Sequence, residues 1–404
     1  STPKPSSAAS DVYKRQVHQN SCFIINIWPE SKKAVKLMKI TSIETISLNN
    51  PRATPIQDAT TETPNNFSGR GQLFVRIYTD EGVEGLGMTY SSPGVKDVVE
   101  NALMQILIGR DPMDTEKIWN DMLWKIRSYG RKGVALCAIS AVDIALWDLK
   151  AKFLNLPLYK LLGAYTNSIP VYGSGGWTNL TKSELIQEMT DYVESGIPRV
   201  KMKVGKNFGN CEREDIERVE AVRNAIGYDI ALYIDANNGY RKKQAIYMAK
   251  EFEQFQVGWL EEPLIPDDVD GMSEIARSTT IPIASGELEY TKYGFKELIY
   301  RGGADIVQPD VGRVGGVTEW IKVAHLAESF NLPVAPHALQ LVHLHLSCAI
   351  PNLKAVEYMN ISLENDDLWC TDFPKQSNGM WAPFHDKPGL GLDLDHYSVA
   401  KYAQ

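Results

Sequence analysis

The pattern of hydrophobic and polar positions in the first part of the chain differs from the pattern in the rest. Lys39–Leu48 and Gln72–Thr79 alternate apolar and polar residues, which predicts strands of a half-covered sheet, and Val83–Met88 offers a third strand. Apolar residues then recur at helical spacing in three segments, Val95–Leu107, Asp114–Arg127 and Val134–Lys152. We therefore interpret residues 38–160 as an α+β domain of strands followed by helices.

Continuous apolar runs separated by amphipathic segments make up the next part of the chain. The eight runs are Ile169–Tyr172, Val200–Val204, Ala231–Ile234, Val257–Leu260, Ile281–Ala284, Ala304–Val307, Leu332–Ala335 and Ala355–Val356. Such runs in alternation with helices are typical of a parallel sheet that is buried on both faces. Eight units over roughly 200 residues favour an α/β fold of the (β/α)8 type, a TIM-type barrel, at residues 161–367. A doubly wound sheet is the competitor, but no GxGxxG follows the first run.

The two ends of the chain differ from this regular part. Residues 1–37 lack the residue order of a signal peptide, so we expect a disordered or non-native extension before a start at Met38, with an oligomerisation arm as the alternative. Residues 368–404 are rich in aromatic residues, glycine and proline, and we expect them to pack on the first domain. The polar segment Asn49–Arg70 is typical of a functional lid or a disordered loop.

The amino-acid composition excludes several classes of function for this protein. The 404 residues carry a formal net charge of −8 without a Lys/Arg stripe, which argues against nucleic acid or an anionic membrane as a partner. No apolar run reaches the ~20 residues of a membrane span. The five cysteines are scattered without a CxxC pair, which favours a reducing cytoplasm over a disulfide framework or a cysteine zinc site. We expect a cytoplasmic enzyme.

Carboxylates stand where three successive barrel strands are predicted to end. Asp235, Glu261 and Glu287 follow one another at intervals of 26 residues, which is one barrel repeat. In this fold the carboxyl ends of the strands carry the chemistry, so the three side chains are expected to face a common point. Grouped acids are costly unless a cation holds them, and an all-oxygen site suits Mg²⁺ before Ca²⁺ or Zn²⁺. The spacing therefore predicts one Mg²⁺ site.

Candidate acid and base groups occupy the ends of the other strands. Lys201 and Lys203 alternate on one strand and so point to the same side. If Lys203 serves as a base it must be neutral, which would require a pKa of roughly 7–8, lowered by Lys201 and the cation. Asp310 and His337 follow the sixth and seventh runs one repeat apart, which indicates a pair in which the acid orients the imidazole ring.

The ordered set of motifs resembles the enolase superfamily, mandelate racemase subgroup, over nearly the whole chain from Met38. The motifs are Lys-x-Lys, Asp-x-Asn, Glu-Glu-Pro, Gly-Glu, Pro-Asp before a glycine loop, and a histidine on the next strand. The resemblance implies that the first domain caps the barrel and that the chain forms homo-oligomers, as dimers or octamers. It also implies roles for eight residues: Asp235, Glu261 and Glu287 as Mg²⁺ ligands, Lys203 as a base beside Lys201, Asp310–His337 as an acid/base pair, and Glu357 as a neutral acid that donates a hydrogen bond to the substrate carboxylate.

Abstraction of the α-proton of a carboxylate is the first step that the resemblance implies. The interpretation we favour is dehydration of an acid sugar, an aldonate or aldarate, to a 2-keto-3-deoxy acid. A racemase or epimerase is the second possibility, and a cycloisomerase of an anhydro-sugar acid is the third. A barrel without catalytic activity would have lost at least one of the eight residues, and none is missing. Tyr90, Arg131 and Asn237 are the candidates for contacts with the rest of the substrate.

Overall fold

The computed structural model describes residues 37–51, 53–61, 63 and 71–403. Apart from Leu37, the predicted N-terminal extension lies outside the described residues, and so does part of the predicted lid segment. Within the described part of the chain, none of the helices has both the length and the apolar character that crossing a bilayer requires.

The first part of the fold is a three-stranded antiparallel sheet with helices on one side. The strands β1 (Ile40–Leu48), β2 (Gln72–Thr79) and β3 (Glu84–Tyr90) pair in chain order. The helical elements that follow are α1 (Val95–Val98), a π-helical turn (Val99–Leu103), α2 (Met104–Leu107), α3 (Thr115–Ile126) and α4 (Val134–Phe153). The buried helix α4 packs against the sheet. We refer to these elements as the cap.

Strands and helices then alternate around a ring. After α5 (Leu158–Leu161) come the strands β4 (Ile169–Ser174), β5 (Arg199–Lys203), β6 (Ala231–Asp235), β7 (Val257–Glu261), β8 (Ile283–Ser285), β9 (Ile306–Val307) and β10 (Val356–Tyr358). Between and after them lie the helices α6 (Lys182–Glu194), α7 (Glu212–Ile226), α8 (Lys242–Glu253), α9 (Val269–Ala276), α10 (Thr291–Tyr300), α11 (Gly316–Ser329) and α12 (Gln340–Ser347).

The strands close into a parallel barrel. Each strand from β4 to β8 pairs in parallel with the next one, and β10 pairs in parallel with β4. The gap between β9 and β10 is closed by single-residue bridges from Val334 to Val307 and to Leu353. The predicted (β/α)8-type barrel with a preceding α+β domain is confirmed, although the predicted seventh strand is reduced to the bridge at Val334.

Aromatic side chains fill the interior of the barrel. Tyr233 and Trp259 stack with their ring centroids 3.5 Å apart, and Tyr172 meets Trp259 edge-on at 5.1 Å. Buried small residues such as Ala284 and Ala335 complete this layer. The barrel is thus a packed core, as is usual for this fold, and polar side chains collect at the carboxyl ends of its strands.

The C-terminal segment contacts both the barrel and the cap. It contains α13 (Asn360–Trp369), β11 (Met380–Trp381) and α14 (His396–Tyr402). Strand β11 pairs antiparallel with β4, whereas Ala403 forms a bridge with Leu48 of β1. The predicted boundary between residues 367 and 368 falls inside α13. The domain limits of 38–160, 161–367 and 368–404 stay predictions.

Candidate active site

Three carboxylates meet at the open end of the barrel. Asp235 and Glu261 are the last residues of β6 and β7, where they are register partners, and Glu287 follows the end of β8. Each offers an oxygen atom within 4.8 Å of the oxygens of the other two, and all three residues are buried. Burial, together with the negative charge of Asp235, raises the pKa of Glu261. Such a crowded donor set fits a hard divalent cation, with coordination positions left for substrate and water.

Two buried lysines face these acids from β5. Lys201 Nζ lies 2.5 Å from Glu261 Oε1 and 3.0 Å from Glu357 Oε1, and Lys203 Nζ lies 2.5 Å from Asp235 Oδ2. Burial acts to lower the pKa of Lys203, but the Asp235 carboxylate outweighs it and raises the pKa above 10.5. The lowered pKa expected from the sequence depends on a cation beside Lys203 as well as on Lys201, and it stays a prediction.

Glu357 lies beside buried positive charge. Burial acts to raise its pKa, but Lys201, His337 and Lys203 together hold the pKa well below the ordinary value of 4.5. One carboxylate oxygen accepts the backbone N–H of Ala338 at 2.9 Å, and the other faces Lys201. The lowered pKa argues against the expected neutral acid, because the buried ammonium group of Lys201 stands beside the carboxylate; the hydrogen bond from Glu357 to the substrate stays a prediction.

His337 and Asp310 form a contacting pair on the other side of the cluster. His337 Nδ1 lies 2.7 Å from Asp310 Oδ2, and His337 Nε2 lies 3.4 Å from Glu287 Oε2. Burial acts to lower the pKa of His337, but Glu287 and Asp310 raise it above 6.5. By contrast, burial lowers the pKa of His343 and of His345 on α12 to about 4, and both rings bond to backbone groups.

A cavity of about 490 Å³ opens above these groups, between the barrel and the cap. Lys203, Glu287 and His337 line it from the barrel, and Tyr90 lines it from the cap. Asn237 also lines it, and its side-chain oxygen is buried without a hydrogen-bond partner in the described part of the chain.

Part of the cavity wall is apolar. Ile56, Trp177 and Met359 form a small hydrophobic cluster that lines the cavity. Arg131, in contrast, is exposed and is not among the cavity-lining residues. The predicted contact between Arg131 and the substrate is therefore not supported by where the residue lies.

Comparison with known protein families agrees with this geometry. Residues 41–163 match the family model described as mandelate racemase / muconate lactonizing enzyme, N-terminal domain, and residues 184–398 match the model described as enolase C-terminal domain-like. The chain belongs to the enolase superfamily, mandelate racemase subgroup. The resemblance inferred from the ordered motifs is thus confirmed.

Relatives within the enolase superfamily include dehydratases and cycloisomerases of sugar acids. The L-talarate/galactarate dehydratase of Salmonella typhimurium strain LT2 is 38% identical over 358 residues, which cover 85% of this chain and 86% of that protein. The 3,6-anhydro-alpha-L-galactonate cycloisomerase of Streptomyces coelicolor is 34% identical over 358 residues, 87% of this chain and 96% of that protein.

Structural similarity extends to a relative that was solved with its metal. The Salmonella typhimurium LT2 L-talarate/galactarate dehydratase liganded with Mg and L-lyxarohydroxamate superimposes with a TM-score of 0.84 at 33% identity, covering 93% of this chain and 96% of that one. A Mg²⁺ ion is therefore a cofactor of close structural relatives, and the acids of this superfamily member provide a donor set that could hold the same ion.

Several polar residues around the site escaped the sequence-based interpretation. Trp259 Nε1 and Gln308 Nε2 donate to Glu261 Oε2 at 3.0 and 2.8 Å. Arg313 Nη1 donates to the backbone oxygen of Glu287 at 2.9 Å, and its guanidinium lies over the ring of Tyr90. Trp259 stands two residues before Glu261, so strand alternation alone places both on one face. Arg313 lies in an irregular loop, where no periodic signal exists.

Proposed function

We propose that this protein is a Mg²⁺-dependent dehydratase of acid sugars, an aldonate or aldarate, that yields 2-keto-3-deoxy acids. The observation that carries the proposal is the juxtaposition of three clustered carboxylates with Lys203 on one side and the Asp310–His337 pair on the other. The 38% identity to a talarate/galactarate dehydratase over most of both chains supports the same chemistry.

The roles of the chain's own residues follow from this arrangement. Asp235, Glu261 and Glu287 would hold Mg²⁺, which supplies positive charge that polarises the substrate carboxylate and stabilises the negative charge developing on it. The charge of the cation on Asp235 would lower the pKa of Lys203, which in its neutral form accepts the α-proton. Lys201, held between Glu261 and Glu357, presents its ammonium group to the same carboxylate.

Loss of water is completed from the opposite side of the cavity. His337, with Asp310 on its Nδ1, donates a proton to the β-hydroxyl, the Cβ–O bond breaks and water leaves. The resulting enol tautomerises to the 2-keto-3-deoxy acid. Asn237, with its unpartnered side-chain oxygen in the cavity, accepts a hydrogen bond from a substrate hydroxyl.

Cycloisomerisation of an anhydro-sugar acid is the second candidate. The apolar wall of Ile56, Trp177 and Met359 would suit the C–H face of an anhydro ring better than it suits an open polyhydroxylated chain. The relative from Streptomyces coelicolor is named as such an enzyme.

A substrate screen tests the proposal directly. The protein is incubated with Mg²⁺ and a library of mono- and diacid sugars, and 2-keto acids are detected with semicarbazide. We expect at least one aldonate or aldarate to yield keto acid. If none does while solvent deuterium enters the α-position of one acid, the racemase or epimerase interpretation replaces the dehydratase. Ring opening of an anhydro-sugar acid would instead favour the cycloisomerase.

Removal of Lys203 gives the matching mutational prediction. Lys203→Ala should lower turnover by at least about 10²- to 10⁴-fold, because general-base catalysis contributes on this scale. Lys206→Ala is the control, since this lysine lies shortly after the same strand and pairs with Glu214 outside the cavity. Steady-state kinetics on the substrate found in the screen measure both variants. Activity that survives in Lys203→Ala would show that Lys203 is not the essential base.

We further propose that the protein works in the cytoplasm. We also propose that it forms a homo-oligomer, a dimer or octamer. Each chain would have a capping domain at residues 38–160 and a barrel domain at residues 161–367. Support for a reducing compartment comes from the cysteines, since Cys137, Cys211, Cys348 and Cys370 are free. Light scattering coupled to size-exclusion chromatography tests the oligomeric state.

A further inference from the structure

The segment that carries Asp310 has little regular structure of its own. Strand β9 is two residues long, and between it and α11 the chain passes through a glycine-containing loop in which Gly315 has a φ of +118°. Loops of this kind are positioned by what packs on them. Asp310 is nevertheless completely buried, and one of its carboxylate oxygens, Oδ1, accepts the N–H of Gly312 at 2.7 Å.

Helices α3 and α4 of the cap form hydrogen bonds with the loop between β9 and α11. Trp119 Nε1 donates to the backbone oxygen of Gly315 at 2.7 Å, and Ser140 Oγ accepts the N–H of the same glycine at 3.0 Å. Further along, Asp143 accepts both the N–H and the hydroxyl of Thr318 at the start of α11. A row of hydrogen bonds therefore fixes the β9–α11 loop to the cap.

The end of β3 extends this row to Asp310 itself. Thr89 Oγ1 donates to the backbone oxygen of Gly312 at 2.7 Å, and the Tyr90 hydroxyl donates to Asp310 Oδ2 at 2.5 Å. This is the same oxygen that faces His337 Nδ1 at 2.7 Å. The Tyr90 ring is fixed in turn by Arg313, whose guanidinium lies 4.7 Å from the ring centroid.

We propose that Tyr90 is a positioning residue, which uses the cap to hold Asp310 in the orientation that directs His337 at the substrate. A carboxylate with one oxygen bound by Gly312 and the other shared by Tyr90 and His337 cannot rotate without breaking a hydrogen bond. Without the Tyr90 hydroxyl, Asp310 Oδ2 keeps only His337 Nδ1 and, at 3.7 Å, Arg313 Nε as partners, so its position beside the imidazole is less restricted. This proposal rests on the proposed dehydration, and it replaces a substrate contact as the role of Tyr90.

The test distinguishes abstraction of the α-proton by Lys203 from protonation of the β-hydroxyl by His337. Turnover is run in ²H₂O with Tyr90→Phe, which keeps the ring under Arg313 and removes only the hydroxyl. If His337 does not protonate the β-hydroxyl, the intermediate takes an α-hydrogen back from Lys203. Because Lys203 exchanges its protons with ²H₂O, the substrate that re-forms carries deuterium at the α-position. We expect the ratio of α-deuterium incorporation to keto-acid formation to rise on the order of tenfold to a hundredfold, with KM nearly unchanged. Mass spectrometry of recovered substrate and product measures it.

Controls and a second variant keep the test decisive. Tyr78→Phe removes a tyrosine hydroxyl from the cap sheet that bonds to Glu44 outside the cavity, and its ratio should equal that of the unmodified protein. Thr89→Val removes the neighbouring donor to Gly312 and should shift the ratio in the same direction, so it serves if Tyr90→Phe does not fold. A raised KM with unchanged kcat in Tyr90→Phe would overturn the proposal in favour of a substrate contact, and so would an unchanged ratio.

Failure of the proposed dehydration would be seen separately. In that case the unmodified protein forms no keto acid, and α-deuterium incorporation is compared between two acids that are epimers at the α-carbon. Tyr90→Phe should then slow exchange only for the epimer whose proton faces His337. Equal slowing of both epimers would overturn the positioning role.

Discussion

At the scale of single residues, neighbouring donors fix the carboxylate of Glu261, a proposed metal ligand. Lys201 occupies its Oε1, and Trp259 and Gln308 donate to its Oε2 at 3.0 and 2.8 Å. All of these groups are buried. Donors of this kind fix the orientation of a ligating carboxylate, and their loss typically weakens metal binding by about 10- to 100-fold.

Replacement of Gln308 tests this orientation. Gln308→Leu removes the donor to Glu261 at similar volume, so we expect Mg²⁺ affinity to fall by about 10- to 100-fold. Isothermal titration calorimetry with metal-free protein measures the change, and Glu261→Gln should abolish binding. Gln254→Leu, an exposed position at the end of α8, should bind like the unmodified protein. Unchanged affinity in Gln308→Leu would mean that the remaining donors suffice to orient the ligand.

The sequence located the charged residues better than their protonation states. Asp235, Glu261 and Glu287 could be grouped because strand ends at a constant spacing lead to a common point. The states of Lys203 and Glu357 could not be read in this way, because each depends on which charge of opposite sign lies beside it. The pKa of Lys203 is raised by Asp235, and that of Glu357 is lowered chiefly by Lys201, although burial opposes both shifts.

At the scale of elements, the packing of β3 against α4 depends on two glycines. A Cβ atom added at Gly87 would lie 2.0 Å from the backbone oxygen of Ala141, and one at Gly85 would lie 2.1 Å from that of Ala145. The strand therefore approaches the helix backbone more closely than any side chain allows.

Gly87→Ala should consequently destabilise the protein. Overpacking of a close backbone contact costs about 1–3 kcal/mol, because the strand or the helix must shift. Urea unfolding followed by circular dichroism measures the loss. Glu84→Ala on the same strand is exposed and should change stability by less than about 0.5 kcal/mol. Equal stability of Gly87→Ala and the unmodified protein would show that the helix can move away without cost.

Periodicity predicted the elements where the pattern was long and failed where it was short. Strands β1 and β2 and helices α3 and α4 lie within one or two residues of their predicted bounds. The predicted strand Leu332–Ala335 forms only the bridge at Val334, and Pro333, which lacks an N–H, cannot donate to a ladder. Apolar character marks burial in such a run, but the hydrogen bonds that make a strand also need backbone donors.

At the scale of the whole molecule, the cap and barrel are joined by contacts that no local pattern reveals. Trp147 Nε1 and Asp143 on α4 both bond to Thr318 at the start of α11, which lies 171 residues after Trp147 and 175 residues after Asp143. The barrel sequence shows amphipathic segments between apolar runs, and the cap sequence shows helical spacing in Val134–Lys152. Only the folded structure brings Asp143 of the cap to the backbone N–H of Thr318 in the first turn of the barrel helix α11.

Asp143 makes this junction sensitive to pH. Burial raises its pKa from the ordinary 3.8 to about 7, although the hydrogen bonds from Thr318 oppose the shift; Glu116 on α3 adds to it and Lys322 on α11 reduces it. Between these two pH values the folded protein keeps a proton that the unfolded chain has released. The contribution of Asp143 to the free energy of unfolding is therefore complete below about pH 4 and is lost as the pH rises through 7.

Asp143→Asn should flatten this dependence, since an amide carries no titrating proton. Urea unfolding at intervals from about pH 4 to pH 8 gives the slope of unfolding free energy against pH, which we expect to be less negative in the variant than in the unmodified protein. Asp229→Asn, at an exposed position, controls for the loss of one negative charge. The same slope in Asp143→Asn and the unmodified protein would show that the proton retained on folding resides on another group. A flatter slope would mean that the proton retained on folding resides on Asp143, at the junction of cap and barrel.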